Sequence, residues 1–211
     1  HSQHLRLDLY REALEILVEK GQLYACNCSR SDLKDGQHQN LACRAKGLPL
    51  RDPQHAWRLL LPTSAAVQMR DWHNKIHEIA LPGHLSDPVL RRKAERAGEE
   101  PLPAYQLACV VDDVLFGTTH LVRGEDLFES SLLQLYLAEQ LEAQNFLEIK
   151  MWHHPLLLGE DGQKLSKSAG DHQKAQSLLA QYGSPAHIFR ALGQAIGQPF
   201  EEKKDVFAYF R

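Results

Sequence analysis

Thr118-Thr119-His120-Leu121-Val122-Arg123-Gly124-Glu125-Asp126 decides the fold. Its first half reads as a buried strand over 118–122, and the run closes on an arginine followed by a glycine. Upstream, 105–115 carries Leu107, Ala108, Val111, Val114 and Leu115 at helical spacing. It also holds the β-branched pair Val110-Val111, so helix and strand both stay open. Downstream, 129–144 reads as a helix with Leu132, Leu133, Tyr136, Leu137 and Leu141 on one side, and 154–158 as a short apolar strand. Strands alternating with helices indicate an α/β core with a parallel sheet. Open α/β sheets bind ligands beyond the carboxyl ends of their strands, which makes Arg123 a candidate for gripping a carboxylate with its guanidinium. A structural ion pair between Arg123 and Asp112, Asp113, Glu125 or Asp126 explains the same residues equally well. Tyr105 would add a hydroxyl to the same pocket.

Toward the front, 6–20 reads as an amphipathic helix with Leu7, Tyr10, Leu14, Leu17 and Val18 on one face and Gly21 as its stop. A strand-like piece covers 22–26, a capped turn of helix 30–34, and loop composition fills 35–53. Residues 56–61 read as a strand closed by Pro62, with 75–81 as its pairing partner. A short polar helix or irregular basic stretch covers 89–97. Toward the end, 173–182 and 185–197 read as helices, the second capped by Ser184 with Pro185 in its first turn.

Composition narrows the class. The 211 residues are 43% hydrophobic and 24% charged, which suits a folded domain and not a disordered chain. The 24 Lys and Arg against 27 Asp and Glu give a formal charge of -3, so any contact with RNA must use local patches. One such patch is Arg91, Arg92, Lys93 and Arg96, which a solvated surface explains better than phosphate contact. No run reaches the roughly 20 apolar residues of a membrane span, and no leader opens the chain, so a cytoplasmic location is expected. Without an export route a disulfide framework is not expected of the four cysteines. Cys109 sits in an apolar run as a small core residue. Cys26, Cys28 and Cys43 crowd together, and Cys-x-Cys with a third Cys after a 14-residue loop can close a tetrahedral metal site.

The segment Gly159-Glu160-Asp161-Gly162-Gln163-Lys164-Leu165-Ser166-Lys167-Ser168 places two lysines three apart in a Gly-flanked loop. Such a loop can close on a nucleotide and stabilise charge on a transferring phosphate. A bare Lys-x-x-Lys is more often a solvated basic loop.

Three blocks occur in order: Pro103-Ala104-Tyr105-Gln106-Leu107-Ala108-Cys109-Val110-Val111-Asp112-Asp113, Gly117 to Leu127, and Lys164-Leu165-Ser166-Lys167-Ser168. Together they resemble the catalytic domain of the glutamyl- and glutaminyl-tRNA synthetases, whose signature loop is usually written Lys-Met-Ser-Lys-Ser. Tyr24-Ala25-Cys26-Asn27-Cys28-Ser29-Arg30 with Cys43 resembles the zinc site of the glutamyl-Q tRNA(Asp) branch of that family, short paralogues without an anticodon-binding domain.

The resemblance implies a partial Rossmann-like catalytic domain with a small zinc-binding insertion and C-terminal helices. Residues 1–21 would be a helix of the catalytic domain, 22–100 the insertion near the tRNA acceptor end, 101–168 the second half of the catalytic domain and 169–211 a helical segment. Tyr105 and Arg123 would bind glutamate. Lys167, with Lys164 in support, would be catalytic, and Lys164, Leu165, Ser166 and Lys167 would meet ATP with its Mg2+. Cys26, Cys28 and Cys43 would hold Zn2+. The fourth ligand of the paralogues is a Tyr four residues before the last Cys. Gln39 stands there, so His38 is the ligand expected instead, with His55 a further candidate.

The implied activity is activation of glutamate by ATP and its transfer to tRNA, the acceptor being a modified base of tRNA(Asp). A shortened glutamyl-tRNA synthetase and a non-catalytic RNA- or protein-binding remnant are the alternatives. The family's front strand, loop and helix with a His-Ile-Gly-His-like motif is not found, so the sequence reads as the second portion of a catalytic domain, with an open sheet edge.

Overall fold

A stripe of Tyr10, Ala13, Leu14 and Leu17 lies buried along helix α1 (Leu7–Glu19), which a short 3-10 turn over Gln3–Arg6 precedes. Gly21 ends the helix in the left-handed region at φ 65°, where Gly avoids the penalty a side chain would bring. Its N–H donates to Val18 O at 2.9 Å, and the Gln22 N–H donates to Leu17 O at 2.9 Å. The computed structural model describes residues 2–29, 32, 39–96, 98–156, 184–195, 197, 199, 200, 202 and 204.

The first sheet is antiparallel, in the order β1-β2-β5, from β1 (Leu23–Cys26), β2 (Ala56–Leu59) and β5 (Val89–Arg91). Leu23 pairs with Leu59 and Cys26 with Ala56. β2 is central and all four of its residues are buried, the charged Arg58 among them. Between β1 and β2 stands helix α2 (Asn40–Ala45), within the stretch that composition assigns to loop. Six residues with one buried side chain, Cys43, leave no periodic stripe to read. Tertiary bonds hold the helix instead: the Asn40 side-chain amide donates to Leu85 O at 3.2 Å, and its oxygen accepts the Asp87 N–H at 3.0 Å.

The second sheet runs in the order β4-β3-β7-β6, from β3 (Ala66–Asp71), β4 (Ile76–Ala80), β6 (His120–Gly124) and β7 (Lys150–His154). β3 and β7 are parallel, with Arg70 opposite Lys150, which bears out an α/β core with a parallel pair. β4 pairs with β3, not with β2 as its pattern suggests. A tight turn decides this: Asp71 accepts the Lys75 N–H at 2.9 Å, and Asn74 takes φ 69°, so the nearest upstream strand wins. β6 stands last in the sheet order and keeps His120 and Val122 exposed, so it is not the buried strand expected. β7 meets the strand expected over 154–158 only at His154, since 155 and 156 are not strand and 157 and 158 lie outside the described residues, and 89–91 is strand rather than polar helix.

Residues 105–115 resolve as helix α3 (Tyr105–Leu115), packed on α4 (Phe128–Gln140). Every residue of α4 from Ser131 to Ala138 is buried, so it has no solvent face to give it a polar stripe. Its buried amide Gln134 donates to Gln106 Oε1 at 2.8 Å. α4 stops short of 144 because Glu142 turns left-handed at φ 56°, and a short α5 (Gln144–Leu147) follows. Cys109 is half-buried, not a core residue. Near the end, α6 (Pro185–Ala195) begins after Ser184, whose Oγ accepts the His187 N–H at 3.3 Å as the cap reading requires. Helices expected over 30–34 and 173–182 lie mostly or wholly outside the described residues.

The chain divides into two compact units, one from His1–Leu121 with Phe128–Trp152, the other from Val122–Leu127 with His153–Arg211. Within the first, α1, both sheets' inner residues and α3 to α5 share one core containing Leu17, Leu59, Val67, Leu90, Leu107, Leu135 and Phe146. No helix among the described residues is long and apolar enough to cross a membrane.

One carboxylate ties α1 to α3. Asp112 accepts from Arg6 Nε at 2.8 Å, Arg6 Nη2 at 3.0 Å, Tyr10 Oη at 2.6 Å and Gln3 Nε2 at 2.9 Å. Burial alone would raise its carboxyl, but these donors outweigh it and hold it below the ordinary carboxylate value. A lowered folded-state value stabilises above the unfolded value and is lost as pH falls through the folded one. Tyr10→Phe, which keeps the ring and deletes one bond to the carboxylate, therefore costs about 1.5 kcal/mol near neutral pH in urea unfolding. The gap between variant and wild type narrows as Asp112 protonates; a gap unchanged into strong acid contradicts this assignment.

Candidate functional site

Cys26 ends β1, Cys28 follows two residues later, and Cys43 faces them from α2. The three sulfurs lie within 4.8 Å of one another, with Cys28 and Cys43 Sγ 3.4 Å apart. Tetrahedral thiolates at about 2.3 Å from zinc stand roughly 3.8 Å apart, so the donor set and spacing fit that ion. No fourth His, Cys, Asp or Glu among the described residues joins them. His55 is turned elsewhere: its Nδ1 meets Pro49 O at 2.9 Å and its Nε2 lies 3.9 Å from Asp52. Gln39 is exposed in extended backbone ahead of α2, and His38 lies outside the described residues. Burial works to raise the Cys26 thiol, but the Cys28 backbone N–H and the Arg58 guanidinium outweigh it and hold Cys26 below its ordinary value. Cys28 is pushed up to about 12 by burial and by its hydrogen bonds with Cys43 and Cys26.

Beside the sulfurs runs a buried polar network that spacing did not single out. Asp87 has no solvent exposure, and Arg58 is 3% exposed. Arg44 grips the Asp87 carboxylate with Nε at 2.7 Å and Nη2 at 2.5 Å, and Leu61 N–H adds a third bond at 3.0 Å. Arg58 Nη1 donates to the Asp87 backbone carbonyl at 2.6 Å. Arg44 also lies over the Tyr24 ring, 5.9 Å from its centroid. Burial, then Asp87, hold the Tyr24 hydroxyl above its ordinary value. The available signal was a charge inside the apolar run Ala56-Trp57-Arg58-Leu59-Leu60-Leu61.

The residues expected to meet substrates fall in different parts of the chain. Tyr105 is the first residue of α3 and half exposed. Arg123 is next to last in β6, at the carboxyl end as its spacing suggests, and belongs to the second unit. There burial, then the nearby Arg123 charge, hold His153 below its ordinary value. Gly124 has a close neighbourhood: a Cβ there would come within 2.5 Å of Asp126 Oδ1 and 3.3 Å of Leu156 Cδ2. Lys164, Leu165, Ser166 and Lys167 lie outside the described residues. Of the acids named beside Arg123, Asp112 serves Arg6 and Tyr10, and Asp113 accepts the Thr118 hydroxyl at 3.0 Å.

The basic patch is largely engaged within the fold. Arg91 stacks on Trp57 at 4.0 Å and donates to the carbonyls of Asp52 and His55 at 3.0 Å; burial, then Arg51, hold it down to about 10. Lys93 donates to Asn27 O, Arg92 lies 3.6 Å from Glu95, and Arg96 3.7 Å from Glu99. A cleft of about 370 Å³ runs along α2, lined by Asn40, Arg44, Pro62, Pro82 and His84 among others. Two of its lining side chains have partners within the fold, Arg44 in Asp87 and His84 in Glu129.

Arg44→Met leaves the Asp87 carboxylate buried without its cation. The expected cost is about 3 kcal/mol in denaturant unfolding; a loss within the few tenths typical of a surface change contradicts this role.

Known proteins agree with this architecture. The family model described as tRNA synthetases class I (E and Q), catalytic domain, matches residues 1–209. The glutamyl-Q tRNA(Asp) synthetase of Rhodobacter capsulatus is 34% identical over 215 residues, covering 89% of this chain and 73% of that protein. The one from Cupriavidus metallidurans is 36% identical over 210 residues, covering 92% of this chain and 61% of the relative. The one from Burkholderia cenocepacia strain J2315 is 36% identical over 200 residues, with 63% of its length covered. The chain thus spans about three fifths to three quarters of these relatives. The crystal structure of a glutamate-tRNA synthetase from Elizabethkingia anophelis superposes with a TM-score of 0.58 at 22% identity, over 81% of this chain and 37% of that one, a likeness of fold. With its family model matched along nearly its whole length, the chain belongs to the class I tRNA synthetases of the glutamyl and glutaminyl group, as part of their catalytic domain.

Proposed function

We propose that this chain serves a ligase that activates glutamate with ATP and passes the glutamyl group to tRNA, the acceptor being a modified base of tRNA(Asp). The observation that carries the reading is the ordered set around Tyr105, Arg123 and Lys164-Leu165-Ser166-Lys167, in a chain matched to the family from 1 to 209. In the first step a glutamate carboxylate oxygen attacks the ATP α-phosphorus and pyrophosphate leaves. In the second an acceptor hydroxyl attacks the activated carbonyl, loses its proton, and AMP leaves. Arg123 would hold a glutamate carboxylate, as a planar fork suits that group, and Tyr105 would add its hydroxyl. Lys167, helped by Lys164 and with Leu165 and Ser166 beside them, would meet charge growing on the phosphates, with Mg2+ accompanying the nucleotide. Zn2+ on Cys26, Cys28 and Cys43, with His38 as fourth ligand, would fix the front of the 22–100 insertion, placed near the tRNA acceptor end.

ATP–pyrophosphate exchange with glutamate, followed by glutamate transfer to tRNA, tests this on the product of the whole reading frame. Exchange should require glutamate, and transfer should require the modified tRNA(Asp). Transfer to the 3′ end of tRNA(Glu) would favour the glutamyl-tRNA synthetase reading that the fold neighbours suggest, and no exchange with any amino acid would leave only a binding remnant. Lys167→Ala should cut exchange by about a hundredfold while glutamate binding is retained. Elemental analysis should find one zinc per chain, lost in Cys43→Ser.

A further inference from the structure

We propose that the buried Arg58–Asp87–Arg44 network is the counter-charge of the three-cysteine cation site, with Arg58 its positioning residue. The proposal rests on reading the cysteine group as a zinc site.

Charge comes first. Asp87 has no exposure, Arg58 is 3% exposed and the Arg44 side chain 22% exposed, so water does little to screen them. Arg44 takes the one carboxylate while Arg58 reaches only the backbone carbonyl of the same residue, and the network therefore holds one positive charge too many. An uncompensated charge in such surroundings is costly. A divalent cation bound by three thiolates and a neutral fourth ligand carries one negative charge. Each partner supplies what the other lacks.

Register brings the two together. Tyr24 is paired with Arg58 and Cys26 with Ala56 across β1 and β2, so Tyr24, Cys26 and Arg58 share one face of the sheet. Arg58 stands diagonally across from Cys26, a separation long side chains bridge. On the other side Arg44 follows Cys43 directly in α2. The two arginines thus reach Asp87 from the two elements that supply Cys26 and Cys43. Arg58 Nε is buried and has no hydrogen-bond partner, a donor left over from the Asp87 contact. Lys46 and Lys93 bond to Asn27 between the two cysteines, but at exposed positions where such charges count for little.

Zn2+ affinity of the full chain, measured by competition with a chromophoric chelator, tests the idea. Co2+ absorption reports whether three thiolates still bind. Arg58→Met should weaken Zn2+ binding by at least about tenfold, as loss of an outer-shell partner does. Asp87→Asn, which breaks the Arg44 ion pair but adds positive charge, should bind Zn2+ at least as tightly as wild type. Combining the two should restore most of what Arg58→Met loses. A purely structural role predicts the reverse, with the double variant weakest, and that result overturns the proposal. So does Arg58→Met binding as tightly as wild type. Should Arg58→Met not fold, Asp87→Asn still decides, and a tenfold loss there overturns the idea. Wild-type protein that takes up no Zn2+ overturns the zinc reading along with it, whereas Zn2+ uptake indifferent to Arg58 overturns this proposal alone.

Discussion

A carboxylate wholly out of reach of water must be matched by cations or it will not stay charged there. Asp87 meets that demand with Arg44 from α2 and the Leu61 N–H, while its backbone carbonyl takes Arg58 from the middle of β2. Its own N–H goes to Asn40. The central strand, the short helix and the 85–87 segment therefore converge on this one residue. α2 has a single buried side chain, and these polar bonds supply the fixing that apolar burial cannot.

The same logic, with different chemistry, joins α1 to α3. Asp112 collects Arg6, Tyr10 and Gln3 at the edge of the core, where Leu14, Leu17 and Leu107 supply the apolar burial. Polar bonds of this kind do not compete with burial for stability so much as choose which of several apolar packings is adopted. The Gln134–Gln106 amide pair does the same between α3 and α4, where a helix buried on all sides has no stripe of its own to set its rotation.

Elements with a one-sided apolar face were legible in the residues: α1, the strand at 23–26 and the cap at Ser184 all follow from period and end signals. The three cysteines were legible because ligand spacing is a local property. Strand partners were not, since Ile76–Ala80 has an apolar pattern that either neighbour satisfies and only the Asp71–Lys75 turn chooses. Arg58 and Asp87 were hidden for a related reason: 29 residues separate them, and nothing local announces that an arginine in an apolar strand has a distant acceptor. The role of Asp112 was not legible either, because its partners lie far upstream along the chain. Asp112 found its arginine 106 residues upstream.

Gly124 carries a consequence for how this segment can vary. Even a methyl at that position would run into the Asp126 carboxylate and crowd Leu156. The chain leaving Arg123 is therefore threaded through a gap one hydrogen wide. An alanine there would push Asp126 aside before it disturbed the strand, so drift at the guanidinium's neighbour would first be felt as a swung acid three residues downstream of that guanidinium.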